Sequence, residues 1–263
     1  MPFDVQLILW PDWVAAVIIN LVLIGFSVIG LLVVKKIVHH SILKRHNDVA
    51  GFIFATIGVM YAVILAFVVL VVWQKFNSAE QVSQEESSHA FALYRDISMY
   101  PDTTAARELR KEFKEYIQSV IENEYPKMEV LQTDTMTIVR FRELFYSIKN
   151  KLSPKTNTEL AIYSEILKSL NLLAEKRALR MMGTTSSIPP QIWYTIIFGA
   201  FLTIGFTFLF GTENFRAQLI MSVCLSILIA MIIFVIMELQ YPYSGDLSIR
   251  PDGYRMILEW SPM

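Results

Sequence analysis

The residues with the means to do chemistry gather in a few places. His39, His40 and His46 crowd with Asp48 into one short loop, a set of imidazoles and a carboxylate that zinc accepts. The same loop carries Lys35, Lys36, Lys44 and Arg45, so a basic segment lying against lipid headgroups accounts for it without a metal. Glu238, Asp246 and Asp252 offer oxygen ligands for a hard cation, while Tyr241 and Tyr243 beside them describe equally well a turn-rich terminus held at a membrane interface. Glu86 and Arg95 are nine residues apart, off the spacing of direct helix neighbours, so an ion pair from either is expected to reach another helix or another copy. His89, between Ser88 and Ala90, reads as an ordinary helix histidine. No nucleophile has an evident base, which argues against an enzyme, and neither a metal nor a cofactor is expected. A net charge of −1 gives no footing for nucleic acid.

These residues sit among segments that are mostly apolar. Hydrophobic residues make up 54% of the chain and charged residues 18%, a balance outside the usual range of a soluble domain. Four windows are long enough to cross a bilayer: Trp13–Val34, Gly51–Trp73, Ile192–Phe210 and Ala217–Met237. None contains Asp, Glu, Lys, Arg or His. The first is too long for the core of a secretory leader and has no basic residue before it, so it is expected to be a retained span. The single cysteine, Cys224, lies inside the fourth window and excludes an internal disulfide. Trp10, Trp13, Trp73, Trp193 and Tyr194 fall where interfacial belts belong.

Between the second and third windows the character changes. Residues 74–191 hold sixteen Lys and Arg against sixteen Asp and Glu, the composition of a solvated region. Met60 to Tyr100 contains no Gly or Pro, and Phe76, Ala79, Ser83, Glu86, Ala90, Leu93 and Ile97 recur at helical spacing. The second span is therefore expected to run on as one helix of about 40 residues from that point. Pro101 with Asp102, Thr103 and Thr104 ends it and starts the next, whose inner face carries Leu109, Phe113, Tyr116, Ile117 and Val120. A weaker stretch holds Ile138, Phe141, Phe145 and Ile148. A last helix, from about Thr158, presents Leu160, Tyr163, Leu167, Leu170 and Ala174. The expected fold is an all-α integral membrane protein: four transmembrane helices with an extramembrane helical bundle or stalk inserted between the second and third. The expected divisions are 1–73, 74–191, 192–240 and a C-terminal tail, 241–263.

Gly51, Ala55, Gly58, Ala62 and Ala66 place every small residue of the second span on one face, where helix backbones can approach closely. The neighbour is either another span of the same chain or a second copy about a symmetry axis. Outward along that face come Val69, Trp73, Phe76 and Glu80, an order of apolar rings then a carboxylate that suits a gate and its mouth, or any buried stalk emerging into water.

The runs GVMYAVILAFVVLVVWQKF, EESSHAFALYRD, IENEYPKM, LNLLAEKRALRM and YPYSGDLSIRPDGY, taken in order, resemble the bestrophin-like family from Gly51 to Tyr254. The family's pattern is matched at Trp73 and Phe76, Glu86 and Arg95, Tyr125-Pro126, Arg177 and Arg180, and Pro242-Tyr243-Ser244-Gly245. Ser87 and Ala90 depart toward a looser seam. The resemblance implies an oligomeric ion channel, distantly similar to bestrophin anion channels, with the second span lining the path. A membrane-anchored sensor or scaffold whose helical region binds a partner is the other reading. The expected partners are the bilayer, further copies and a small ion, in a multi-pass protein of a bacterial inner membrane. Lys35, Lys36, Lys44 and Arg45 place the first loop in the cytoplasm, giving an N-out, C-out chain with the helical region extracytoplasmic.

Overall fold

The structure, a computed structural model, describes residues 10–38, 43–44, 46–101, 103–185 and 188–260. His39, His40, Arg45 and Asp102 lie outside them. The described residues are mostly helical, with no strand among them: α1 (Asp12–Ile37), α2 (Asn47–Ser98), α3 (Thr103–Ser119), a π-turn (Val120–Glu124), α4 (Tyr125–Glu129), α5 (Thr135–Lys151), α6 (Asn157–Thr185), α7 (Pro190–Phe206), a short 3₁₀ turn (Thr207–Leu209), α8 (Phe215–Gln240) and α9 (Asp252–Trp260). Four stretches are long and apolar enough to span a membrane: α1, α2, Pro190–Leu209 and α8. The chain divides into two compact units, one within 1–75 and 187–240, the other within 76–186 and 241–263.

In the membrane unit α1 packs along α8. Its buried residues Ala15, Leu23, Ser27 and Leu31 share one face, and α8 answers with Ser222, Ser226, Ile229, Ile233 and Ile236. On α8 Ser226 donates to the Ser222 carbonyl and Ser222 Oγ bonds Thr207 Oγ1, both at 2.8 Å, while Ser27 Oγ on α1 is buried with no hydrogen-bond partner among the described residues. From α2 the Tyr61 hydroxyl donates to the Ile196 carbonyl at 2.9 Å. Gly199 makes this possible, since a Cβ there would lie 2.4 Å from the Tyr61 ring. At one end Asn47 brackets Gly211, donating to its carbonyl at 2.8 Å and accepting from its N–H at 2.9 Å. A Cβ on Gly211 would strike the Lys44 backbone at 2.4 Å, so this clamp between the two short loops needs glycine.

In the helical unit the expected seam of α2 turns inward: Glu86, Ala90, Leu93 and Ile97 are fully buried. Ala90, Leu93 and Ile97 share one core with Leu109, Phe113 and Ile117 from α3 and Val120 from the π-turn. On α5 the buried stripe is Thr137, Leu144 and Ile148, and Phe145 of the expected face points out. On α6 it is Ile166, Leu170, Leu173, Arg177 and Arg180, whereas Leu160 is exposed. The two arginines occupy the apolar stripe because carboxylates wait for them there. Residues 241–263, read from the sequence as a separate tail, contribute Tyr243, Tyr254 and Ile257 to this same core. Close approach of α9 depends on two small residues, as a Cβ on Gly253 would fall 2.3 Å from Ser87 Oγ.

Asp134 caps α5 from a fully buried position. Its carboxylate accepts the Thr137 N–H at 2.8 Å, takes the Thr137 hydroxyl and pairs with Lys127. Burial opposes the charge, but Lys127 and the Thr137 bonds outweigh it and hold the carboxyl down to about 2. A carboxylate depressed in the fold stabilises above its unfolded value near 3.9 and loses that contribution as pH falls through about 2. Asp134→Ala is expected to cost about 1–2 kcal/mol at pH 6, with the gap to wild type closing by pH 2, read from denaturant titrations of the purified protein by circular dichroism.

Candidate functional site

Within the membrane unit α2 uses Tyr61, Leu65 and Val72 to bury itself against its own chain. The neighbouring face, about 100° around the helix, is the small one, and it stays open. Ala55, Ala62 and Ala66 are exposed, a Cβ on Gly58 would meet nothing within 4 Å, and one on Gly51 would meet only the Phe210 ring at 3.9 Å. Gly58, Ala62, Ala66, Val69 and Trp73 form one wall of a groove of about 710 Å³, with Thr203, Leu225 and Ile232 on the facing wall. Its surface is almost wholly apolar, because the Tyr61 hydroxyl is spent on a backbone carbonyl. Thr203 Oγ1 is buried and has no hydrogen-bond partner among the described residues. Phe76 and Glu80 belong to the helical unit. Phe76 is half-buried and Glu80 is exposed, accepting from Gln84 at 3.5 Å. Among the described residues no three His, Cys, Asp or Glu side chains gather as a metal would require.

The second constellation lies inside the helical unit. Arg180 is fully buried and grips two carboxylates. Its Nε and Nη2 bond both oxygens of Glu86, Nη2 at 3.0 Å, and Nη2 also reaches Glu124. Arg177 pairs with the second oxygen of Glu124. Two positive and two negative groups therefore neutralise each other away from water. Burial alone would lower the Arg180 pKa, yet the facing Glu86 and Glu124 raise it well above its ordinary value. The guanidinium also stands 4.9 Å from the centre of the Tyr125 ring, and Arg177 stands 5.3 Å from that of Phe141. Around the cluster Tyr125 bonds Ser83 at 2.7 Å and Tyr243 donates to the Ala79 carbonyl at 3.2 Å. Burial pushes the Tyr116, Tyr125, Tyr243 and Tyr254 hydroxyls far up, so they stay protonated.

The π-turn explains how Glu124 gets there. Pro126 has no N–H to give the carbonyl four residues back, and its ring would crowd that carbonyl in a regular helix. One widened turn, in which the Tyr125 N–H reaches the Val120 carbonyl, relieves the conflict and rotates Glu124 inward. Glu86 and Arg95, matched by the family pattern, do not meet. Glu86 goes to Arg180 of α6, and Arg95 turns to the adjacent Asp96 at 2.9 Å, whose other oxygen accepts from Ser169. Reading the sequence missed Glu124 and the part played by Tyr116 and Tyr254. The available signal was that Arg177 and Arg180 continue the three-and-four spacing of Ile166, Leu170 and Leu173.

The charges of the cluster are spent on one another, Arg180 on Glu86 and Glu124 and Arg177 on Glu124. Arg180→Ala would leave Glu86 and part of Glu124 charged and unpaired in the core, and is expected to lower stability by about 3–5 kcal/mol. Arg95→Ala, removing a half-exposed partner, is expected to cost about 1 kcal/mol or less. Denaturant midpoints of the two purified variants against wild type check the contrast.

The fold and sequence have relatives. The sequence model of the bestrophin-like domain matches residues 21–254, beginning one span earlier than the motifs that carry the resemblance. Two mutants of a bacterial bestrophin homolog from Klebsiella pneumoniae share the fold. One has a TM-score of 0.66 at 13% identity, covering 93% of this chain and 98% of that one. The other has a TM-score of 0.65 at 14% identity, covering 93% and 96%. A crystal structure described as a membrane protein aligns with a TM-score of 0.66 at 14% identity, over 90% of this chain and 94% of its own. No curated protein matches the sequence. With its four apolar spans, its buried arginine lock and a domain match over most of its length, the chain is a membrane protein belonging to the bestrophin-like family.

Proposed function

We propose that copies of this chain assemble about an axis in a bacterial inner membrane, with the second span of each copy lining an ion path that carries anions. The observation behind this reading is the open groove along α2: the face richest in Gly and Ala is left uncovered by the chain's own spans. A small face packs well against another helix backbone and contributes little against lipid, so a neighbouring copy is its natural cover. Val69 and Trp73 then stand at the narrow part, where apolar rings hold back ions by dewetting. Phe76 and Glu80 follow next in sequence on the same helix. Anion preference rests on the family's distant similarity to bestrophins. Conduction, not catalysis, is the activity proposed. For sidedness, Lys35, Lys36 and Lys44 favour a cytoplasmic first loop with both termini and the helical unit outside.

The scaffold reading draws on the same groove, whose walls offer ions almost no polar group. Flux decides between the two. Vesicles holding the wild-type protein are expected to dissipate a chloride gradient faster than empty vesicles, and Val69→Ser to speed it several-fold by wetting the constriction. Leakage equal to empty vesicles for both, with folded protein confirmed in the bilayer, would leave the helical unit as the functional part. Gly58→Leu places bulk where copies should touch and is expected to weaken the assembly by about 1–3 kcal/mol, seen as smaller particles in detergent. A reporter active only in the cytoplasm, fused after Met263, is expected to stay silent; strong activity there would reverse the sidedness.

A further inference from the structure

A second concavity, of about 480 Å³, opens where α1 ends and α8 begins. Its floor is apolar, made by Leu31, Val34, Phe208 and Phe210, and Phe208 can reach in because Gly30 has no Cβ to strike its ring. Its rim is polar and carries Lys35, Lys36 and Glu213. Its lining mixes charged and apolar side chains, in contrast to the groove along α2.

Most of the rim's polar groups are already engaged. Gln218 donates to the carbonyls of Phe210 and Thr207 at 2.8 and 3.2 Å and accepts the Thr212 hydroxyl at 3.1 Å. Glu213 pairs with Lys44 at 2.6 Å, which cancels one cation against the rim's carboxylate. Lys35 and Lys36 remain, and among the described residues neither makes an ion pair with a carboxylate. Lys35 Nζ is held 3.8 Å from the centre of the Phe215 ring, which fixes an ammonium at the mouth while leaving its hydrogens free to donate.

Two ammonium groups that make no ion pair among the described residues, above an apolar floor at the end of a 26-residue apolar helix, present different chemistries at two depths. A small anion would satisfy the rim and leave the floor wet; an uncharged amphiphile would fill the floor and leave the lysines without a counter-charge. An anion on an apolar tail meets both. The volume is within the range of sites for small molecules. We infer that this pocket binds the phosphate headgroup of an anionic phospholipid, with Lys35 and Lys36 on the phosphate and the upper acyl chain against Leu31, Phe208 and Phe210. The site is independent of whether the protein conducts ions.

The test is a titration of the purified full-length protein with dioctanoyl-phosphatidylglycerol or dioctanoyl-phosphatidylcholine, bound lipid being counted by native mass spectrometry. The expected result is one saturating phosphatidylglycerol per chain, bound about tenfold more tightly than phosphatidylcholine. The double variant Lys35→Gln/Lys36→Gln should lose that preference, Lys35→Arg/Lys36→Arg should keep it, and Lys149→Gln/Lys168→Gln, on the helical unit, should leave it unchanged. In a parallel arm, inorganic phosphate and glycerol phosphate should fail to displace the lipid at matched concentration. Equal binding of the two lipids, binding that never saturates, or an undiminished preference in the glutamine variant would overturn the site. Displacement by glycerol phosphate as effective as by lipid would assign the lysines to a free phosphate and overturn the lipid.

Discussion

An arginine side chain with no access to water is the constraint around which the helical unit is built. Arg180 can be charged there only if carboxylates surround it, and they come from different parts of the chain: Glu86 from α2 and Glu124 from the π-turn. That requirement fixes the rotation of α6, since Arg177 and Arg180 must face inward on the stripe begun by Ile166 and Leu170. It also explains why a helix widens by one residue at Pro126, because a regular turn would aim Glu124 elsewhere. The aromatic shell follows from the same cause. Tyr125 lies beside the guanidinium, and its ring contacts Tyr243 and Tyr254, which the chain supplies after its last span. A buried ion cluster of this kind adds little net stability over an apolar core, but it penalises any arrangement that leaves a charge unmatched.

The membrane unit obeys a different rule. In lipid the backbone must satisfy itself, which helices do, and several polar side chains bond backbone carbonyls: Ser226 that of Ser222, Tyr61 that of Ile196, Asn20 that of Ala16. Precision comes from glycines that admit rings or backbone, at Gly30, Gly199 and Gly211. Gly58 of α2 is the exception, because no described residue comes within 4 Å of where its Cβ would stand. Packing is therefore open along that face, whereas α1 and α8 are closely matched along theirs.

The four spans were legible because about twenty apolar residues without a charge have few other destinations, and α2 was legible as one helix because nothing in it breaks a helix. The seam from Glu86 to Ile97 and the face from Leu109 to Val120 could be read from spacing alone. On α6 spacing found Leu170, and Tyr163 and Leu167 pack at the edge of the core, but Leu160 is exposed and the inner stripe continues through Arg177 and Arg180, residue types that usually mark solvent. On α5 spacing favoured Phe145 over Leu144, a choice between adjacent residues that a weakly amphipathic pattern cannot resolve. The family motifs named Glu86, Arg177 and Arg180, which share the buried cluster, and Arg95, which pairs with Asp96 instead; motifs do not say who pairs with whom, because the cluster's partners lie more than fifty residues apart and leave no local spacing to read.

By itself, then, the sequence determined the solvent each segment lives in, the helical character of nearly every element and membership in the bestrophin-like family. These are local properties, decided by hydropathy, periodicity and short motifs. Only the tertiary structure decided that Glu86 belongs to Arg180 and Arg95 to Asp96, that the last residues join the helical core, and that the small face of α2 opens on a groove its own chain does not fill. Each of those depends on which distant side chains arrive at the same place, and burial makes that choice: a charge removed from water accepts only its counter-charge, and a glycine face stays empty unless a helix comes close enough to use it.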